Sequence, residues 1–173
     1  TNGHAIFYYG LWLLLLGVLG YFASRLFIAR SWWALPVFFV YGVVYTGNNP
    51  RWHEASHGTP FKASWLNEFF YFLCGAMEFR DTVDFRWSHA RHHSFTKFRP
   101  VDPEIAERRP PDVFNMIVDI FYLRMGVVAI KNLFLHSFGI VSKEIRAYVP
   151  EEELKKMYWS ARAVLLIHLA VVG

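Results

Sequence analysis

"AIFYYGLWLLLLGVLGYFA", residues 5–23, decides the fold. It lies in an uncharged stretch that runs from Thr1 to Ser24. A helix needs about 20 apolar residues to cross a hydrocarbon layer of ~30 Å. A second uncharged stretch, Ser31 to Pro50, follows a short connection carrying Arg25 and Arg30. The two stretches read as spans over about 5–23 and 32–48, a transmembrane helical hairpin. Pro36 falls early in the second span, where a helix tolerates it best. Tyr8/Tyr9 and Trp32/Trp33 suit interfacial belts. The first span lacks a basic n-region, and no small-x-small cleavage site precedes the second, so neither reads as a signal peptide. With 173 residues the chain is too short to wrap two such helices on all sides as a soluble core. Composition agrees: 54% hydrophobic and 18% charged, against about 25% charged in ordinary soluble domains.

After Pro50 the character changes. Residues 48–112 hold nine Lys or Arg, against two in the 24–31 connection. The positive-inside rule, which counts Lys and Arg, puts residues 49–112 in the cytoplasm. Within them, "SWLNEFFYFLCGAM" (64–77) is apolar but short and carries Glu68, so it predicts a half-buried or interfacial helix. "RPVDPEIAERRPP" (99–111) is a proline-punctuated loop. Residues 113–147 are apolar but interrupted by Asp119, Arg124 and Lys131, and predict interfacial helices. "VPEEELKK" (149–156) opens a helix at Pro150 or Glu151, with acidic residues in the first turn. A third span over 159–173 is cut off: the eleven residues after Arg162 cannot cross a bilayer. The expectation is an all-α integral membrane protein, one domain over 1–173, incomplete at its C-terminal end. The single cysteine, Cys74, excludes an internal disulfide framework and reads as packing. No basic stripe accompanies a nucleic-acid motif, so nucleic acid is not an expected partner.

Five of the eight histidines lie between residues 53 and 93. In "HEASH" (53–57), His53 and His57 are i and i+4. In "HARHH" (89–93), His89, His92 and His93 stand at i, i+3 and i+4. Each set can share one helix face, and imidazoles so spaced suit zinc, iron, copper or nickel. Read literally, the first motif is H-E-x-x-H, with Glu54 as the general base of a membrane zinc protease. The metzincin branch is excluded, because Pro60 and Ala63 stand where Gly and His are required. A third ligand from Glu68 or Glu78 is not forbidden. One zinc, however, leaves His89, His92 and His93 without a purpose, and a second metal explains them better. A membrane metal transporter would need polar ligands within its spans, and the first two offer almost none. Around the motifs, Glu54 is either a partner for a ligand imidazole or a helix-surface charge. Asp102 either plays that part for the second motif or caps the next turn. Trp52 and Trp87 either shield metals or anchor at the interface, the latter being the default reading. His168, inside the third span, reads as a neutral imidazole hydrogen-bonded between helices.

"HEASH" and "HARHH", after a pair of spans and followed by "DPEI" (102–105), resemble the first two histidine boxes of the integral-membrane fatty acid desaturases. That family includes related lipid hydroxylases. The resemblance covers residues 5–105 well and the rest in outline. It implies two iron ions held by three histidine boxes on the cytosolic side of a four-helix membrane bundle. His53, His57, His89, His92 and His93 would be iron ligands. Asn132 and His136 match an N-x-x-x-H that supplies further ligands in some desaturases. The implied activity is O2-dependent desaturation of a long-chain fatty acyl lipid, with lipid hydroxylation as the alternative. The three-residue spacer of the first box resembles the acyl-lipid type. Electrons would come from a ferredoxin or a cytochrome b5-like carrier. The implied location is the bacterial inner membrane or the endoplasmic reticulum, in contact with membrane lipid and with the boxes facing the cytoplasm. The third box is absent here and is expected past residue 173, after a fourth span. The 173-residue piece alone is expected to be inactive.

Overall fold

The computed structural model of the chain describes residues 2–98, 101–105, 110–120 and 122–172. Among them all regular structure is helical. The chain packs as two units, Thr1–Cys74 and Gly75–Gly173.

The first unit begins with α1 (Gly3–Ile28). Its 26 residues rise about 39 Å, and it is the one described helix that is by itself long and apolar enough to cross a membrane. It is apolar on all sides, yet only Tyr9, Trp12, Leu16 and Ala23 are buried. Those positions share one helical stripe; Phe7, Tyr8, Leu14, Tyr21 and Phe22 stand out from the rest of the surface. A long apolar helix with one stripe packed on protein has its remaining surface suited to lipid. α2 (Ala34–Tyr45) packs against α1.

The second helix is shorter than the expected span over 32–48. Its 12 residues rise about 18 Å, well short of a ~30 Å layer. Three local bonds stop it. Thr46 Oγ1 donates back to Val43 O at 2.7 Å. Gly47 N–H bonds to Val44 O and Asn49 N–H to Thr46 O, so the helix tightens into i→i+3 turns. α3 (Asn48–Ser56) then starts with Asn48 wholly buried, its Nδ2 donating to Cys74 O at 2.9 Å. That carbonyl lies in the last turn of α4 (Ser64–Met77), where helical carbonyls lack partners of their own. α4 coincides with the apolar run of 64–77. It buries Leu66, Asn67, Phe70, Tyr71 and Cys74, one stripe at i, i+3 and i+4 spacing, while Trp65 and Phe69 are exposed. It is therefore half-buried, as its composition predicts.

The second unit holds α5 (Thr82–Phe95), α6 (Val113–Ile120), α7 (Leu123–Ser137), the single turn α8 (Lys143–Arg146) and α9 (Glu151–Val172). α9 opens at Glu151 with three glutamates in its first turn, where they oppose the helix dipole. It buries Leu154, Met157, Ala161 and Val164 along one face. Leu154 and Met157 join Ile145 and Val149 in a core against which Val83 and Trp87 pack. Trp87 thus serves packing. α6 and α7 fill the predicted 113–147 region, and together they are apolar enough for a broken span bent by 71°. His168 Nδ1–H donates within its own helix to Val164 O at 2.8 Å, and the ring stacks on Phe79 at 4.1 Å.

Candidate metal centre

The first box lies at the end of α3. His53 sits in its last turn, and His57 is the residue just after it, still in right-handed helical backbone. Gly58 follows at φ +69°, the left-handed position that closes a helix and favours glycine. The two imidazoles keep their shared face: their ring centroids are 4.7 Å apart. Glu54 Oε1 stands 3.6 Å from His53 Nδ1, too far for a hydrogen bond, and its Oε2 accepts from Thr59 Oγ1 at 2.9 Å. Trp52 is buried and stacks on Tyr71 at 6.5 Å, so it is a core residue of the first unit instead of an interfacial anchor.

The second box occupies α5. Asp81 caps this helix by accepting from Asp84 N–H at 2.9 Å. His89 is nearly buried and stacked on Phe85 at 5.0 Å. Its Nδ1 lies 3.1 Å from Glu104 Oε2. His92 Nδ1 lies 2.9 Å from Asp102 Oδ2. A carboxylate on Nδ1 draws the ring proton there and makes Nε2 the unprotonated nitrogen, the form that binds a metal. His93 Nε2 is 3.1 Å from His89 Nε2. Metal–imidazole bonds are about 2.0–2.1 Å, so one ion bound to both at roughly a right angle sets the nitrogens about 3 Å apart. The donor set of the second box therefore fits a bound metal.

The carboxylates are held by the chain that follows the helix. Arg91, inside the box, donates Nε to Val101 O and Nη1 to Ala147 O, fastening the loop over α5. Asp102 has a wholly buried side chain. It accepts from Lys97 N–H at 2.8 Å and from Glu104 N–H at 2.9 Å as well as facing His92. It is thus both a turn residue and a histidine partner. Burial alone would raise its carboxyl, but the Glu104 N–H, the His92 ring and the Lys97 N–H together hold it below its ordinary range. Glu104 went unrecognised from sequence. Its only signal was a second acid two residues after Asp102 in "DPEI".

Asn132 and His136 lie on α7. His136 Nδ1 meets Asp81 Oδ2 at 2.8 Å, both side chains nearly wholly buried. Donor atoms of Asp81, Asp84 and His136 all fall within 4.8 Å of one another. Asn132 borders a cavity of ≈ 90 Å³ shared with Asp81 and Asp84. Burial would lower the His136 imidazole, but the hydrogen bond and charge of Asp81 outweigh it and raise it. Burial and the charge of Asp81 raise the Asp84 carboxyl, which accepts from Tyr148 O–H at 2.6 Å. This group binds α7 and the end of α8 to the first turn of α5.

Residues 30–173 match the family model described as fatty acid desaturase. No curated protein and no solved structure matches the chain.

Proposed function

The chain belongs to the fatty acid desaturase family, and on that premise we propose that it is the oxidoreductase that desaturates a long-chain fatty acyl lipid at a di-iron centre. The observation that carries the reading is the pair of imidazoles on α5 whose Nε2 atoms face each other at 3.1 Å, one fixed from behind by Glu104. His53, His57, His89, His92 and His93 are the proposed iron ligands. A bound di-iron centre supplies oxygen activation able to oxidise an unactivated C–H bond, which no side chain can do.

The chain's own residues prepare that centre. Glu104 and Asp102 keep the protons of His89 and His92 on Nδ1. Asp102 also fixes the loop that presents Glu104. Asp81 and His136 hold the start of α5, and Arg91 holds the loop against its end. α1 gives the substrate's acyl chain an apolar surface. The proposed donor of electrons is a ferredoxin or cytochrome b5-like carrier, and the proposed orientation places both boxes in the cytoplasm. The protease reading has no support beyond the letters of H-E-x-x-H: Thr59 holds one oxygen of Glu54, and the carboxylate partners belong to the second box.

The test is to express the full natural chain with O2 and a reduced carrier and to profile cellular fatty acids. A new alkene that disappears in His89→Ala is expected. A hydroxylated chain in its place would move the reading to hydroxylase. An iron-loaded protein with neither product would overturn it.

A further inference from the structure

Beside the first box, the first unit contains a cavity of ≈ 370 Å³. Tyr8, Tyr9, Pro50 and Pro60 form its apolar walls, and Arg51 and Glu54 line it as well. Binding sites for small ligands have this size and make-up: mostly apolar walls with a few fixed polar groups.

Arg51 is built into this place. Its guanidinium lies over the Trp12 ring at 4.7 Å and near the Tyr9 ring at 5.6 Å. Nη1 donates to Gly47 O at 2.8 Å. A Cβ on residue 47 would stand 2.8 Å from that same Nη1, so a larger residue there would displace the guanidinium end. The Tyr9 hydroxyl donates to Arg51 O at 3.1 Å, tying the backbone to α1 as well. Yet among the described residues no carboxylate pairs with Arg51, and its Nε is buried with no acceptor. Glu54 shares the cavity but is engaged by Thr59. A guanidinium is charged at every working pH and matches carboxylate and phosphate oxygens. Here one is held on aromatic rings, half-buried, with no ion-pair partner among the described residues.

The surroundings specify the rest of the ligand. The cavity lies near the start of α1, beside the exposed Phe7, Tyr8 and Leu11. An apolar chain extending from it has apolar surface to follow. Arg51 stands two residues before His53 on the same helix.

We propose that this cavity is the headgroup site for the acyl substrate: Arg51 binds an oxyanion, phosphate or carboxylate, at the head of an acyl chain. The proposal rests on the desaturase reading for its substrate class. The site thereby selects oxyanion-headed acyl chains over uncharged ones and fixes where along the chain the first box acts.

The experiment uses the full natural chain in lipid nanodiscs and three diazirine-bearing probes. One is phosphatidic acid, one a free fatty acid and one the uncharged diacylglycerol. Cross-linked peptides are mapped by mass spectrometry. One or both anionic probes should label the Tyr8–Tyr9 and Pro50–Pro60 segments roughly ten-fold or more above diacylglycerol. Which of them does so identifies phosphate or carboxylate as the head. Arg51→Gln should bring that labelling down to the diacylglycerol level, and Arg51→Lys should retain part of it. Equal labelling by all three probes in the unaltered protein would overturn the proposal, whether or not the variants fold. So would undiminished labelling in a folded Arg51→Gln. Labelling needs neither iron nor turnover. A protein that labels as expected but oxidises no acyl chain keeps the site and loses the desaturase reading. One that desaturates but labels without preference does the reverse.

Discussion

His136 and Asp81, 55 residues apart in sequence, meet at 2.8 Å with both side chains almost fully excluded from solvent. Asp81 is also the N-cap of the helix that carries the second box. One carboxylate therefore closes the helix end and fastens it to α7.

Breaking such a pair from one side leaves a buried charge unmatched, which typically costs about 3–5 kcal/mol. His136→Ala should lower the stability of the second unit by an amount in that range, read from thermal unfolding in detergent. Asp81→Ala should cost about 1 kcal/mol more, because the cap is lost too. A change below about 1 kcal/mol in both would show that the pair does not hold α5.

The same pair sets a pH dependence. The His136 imidazole is raised above its ordinary value of 6.5, and the Asp84 carboxyl is raised as well. Both groups bind protons more tightly folded than unfolded, so stability falls as pH rises. The His136 contribution is complete below 6.5 and is lost as pH climbs through the folded value. The charge of Arg80 also acts on Asp84, in the lowering direction. Tyr148 keeps its proton, because burial and the charge of Asp84 raise it. Unfolding temperatures measured from about pH 6 to about pH 9 should decline, and the slope should flatten in His136→Gln.

Glu104 and Asp102 act through His89 and His92. Glu104→Gln and Asp102→Asn should weaken iron binding by roughly 10–100-fold while the protein still inserts in the membrane. Competition with a calibrated chelator reads this directly. Glu104→Gln with unchanged iron affinity would mean that the 3.1 Å contact to His89 has no part in metal binding.

Orientation can be read with single cysteines. Cys74 is buried and gives a low background. Phe27 and Phe95 are both exposed. Phe27→Cys should react with an impermeant thiol reagent on intact cells, and Phe95→Cys only after the membrane is opened. Labelling of position 95 from outside would reverse the topology that the Lys/Arg bias predicts.

Helices and boxes were legible where one segment carried its own pattern. The 64–77 run matches α4 at both ends, and Pro150–Glu151 marks the start of α9. The i, i+3 and i+4 spacings correctly place the imidazoles of each box together. What escaped depends on contacts across the chain. Hydropathy joins residues 32–48, but bonds at Thr46 and Gly47 and the buried Asn48 amide end α2 at Tyr45. Trp52 has the sequence look of an interfacial anchor but is covered by α4. Glu104 meets His89 from 15 residues further along the chain, beyond the end of α5, where no helical periodicity links the two. Arg51 counts in sequence as one more cytoplasmic charge, and only the ring positions of Tyr9 and Trp12 reveal it as a fixed cation.

Metal content tests the central claim most directly. The full natural chain, purified without chelators, should carry about two irons per chain by elemental analysis, with zinc well below one. His89→Ala and His93→Ala should each lose most of that iron. About one zinc per chain and no iron, with the metal retained after both substitutions, would contradict the account.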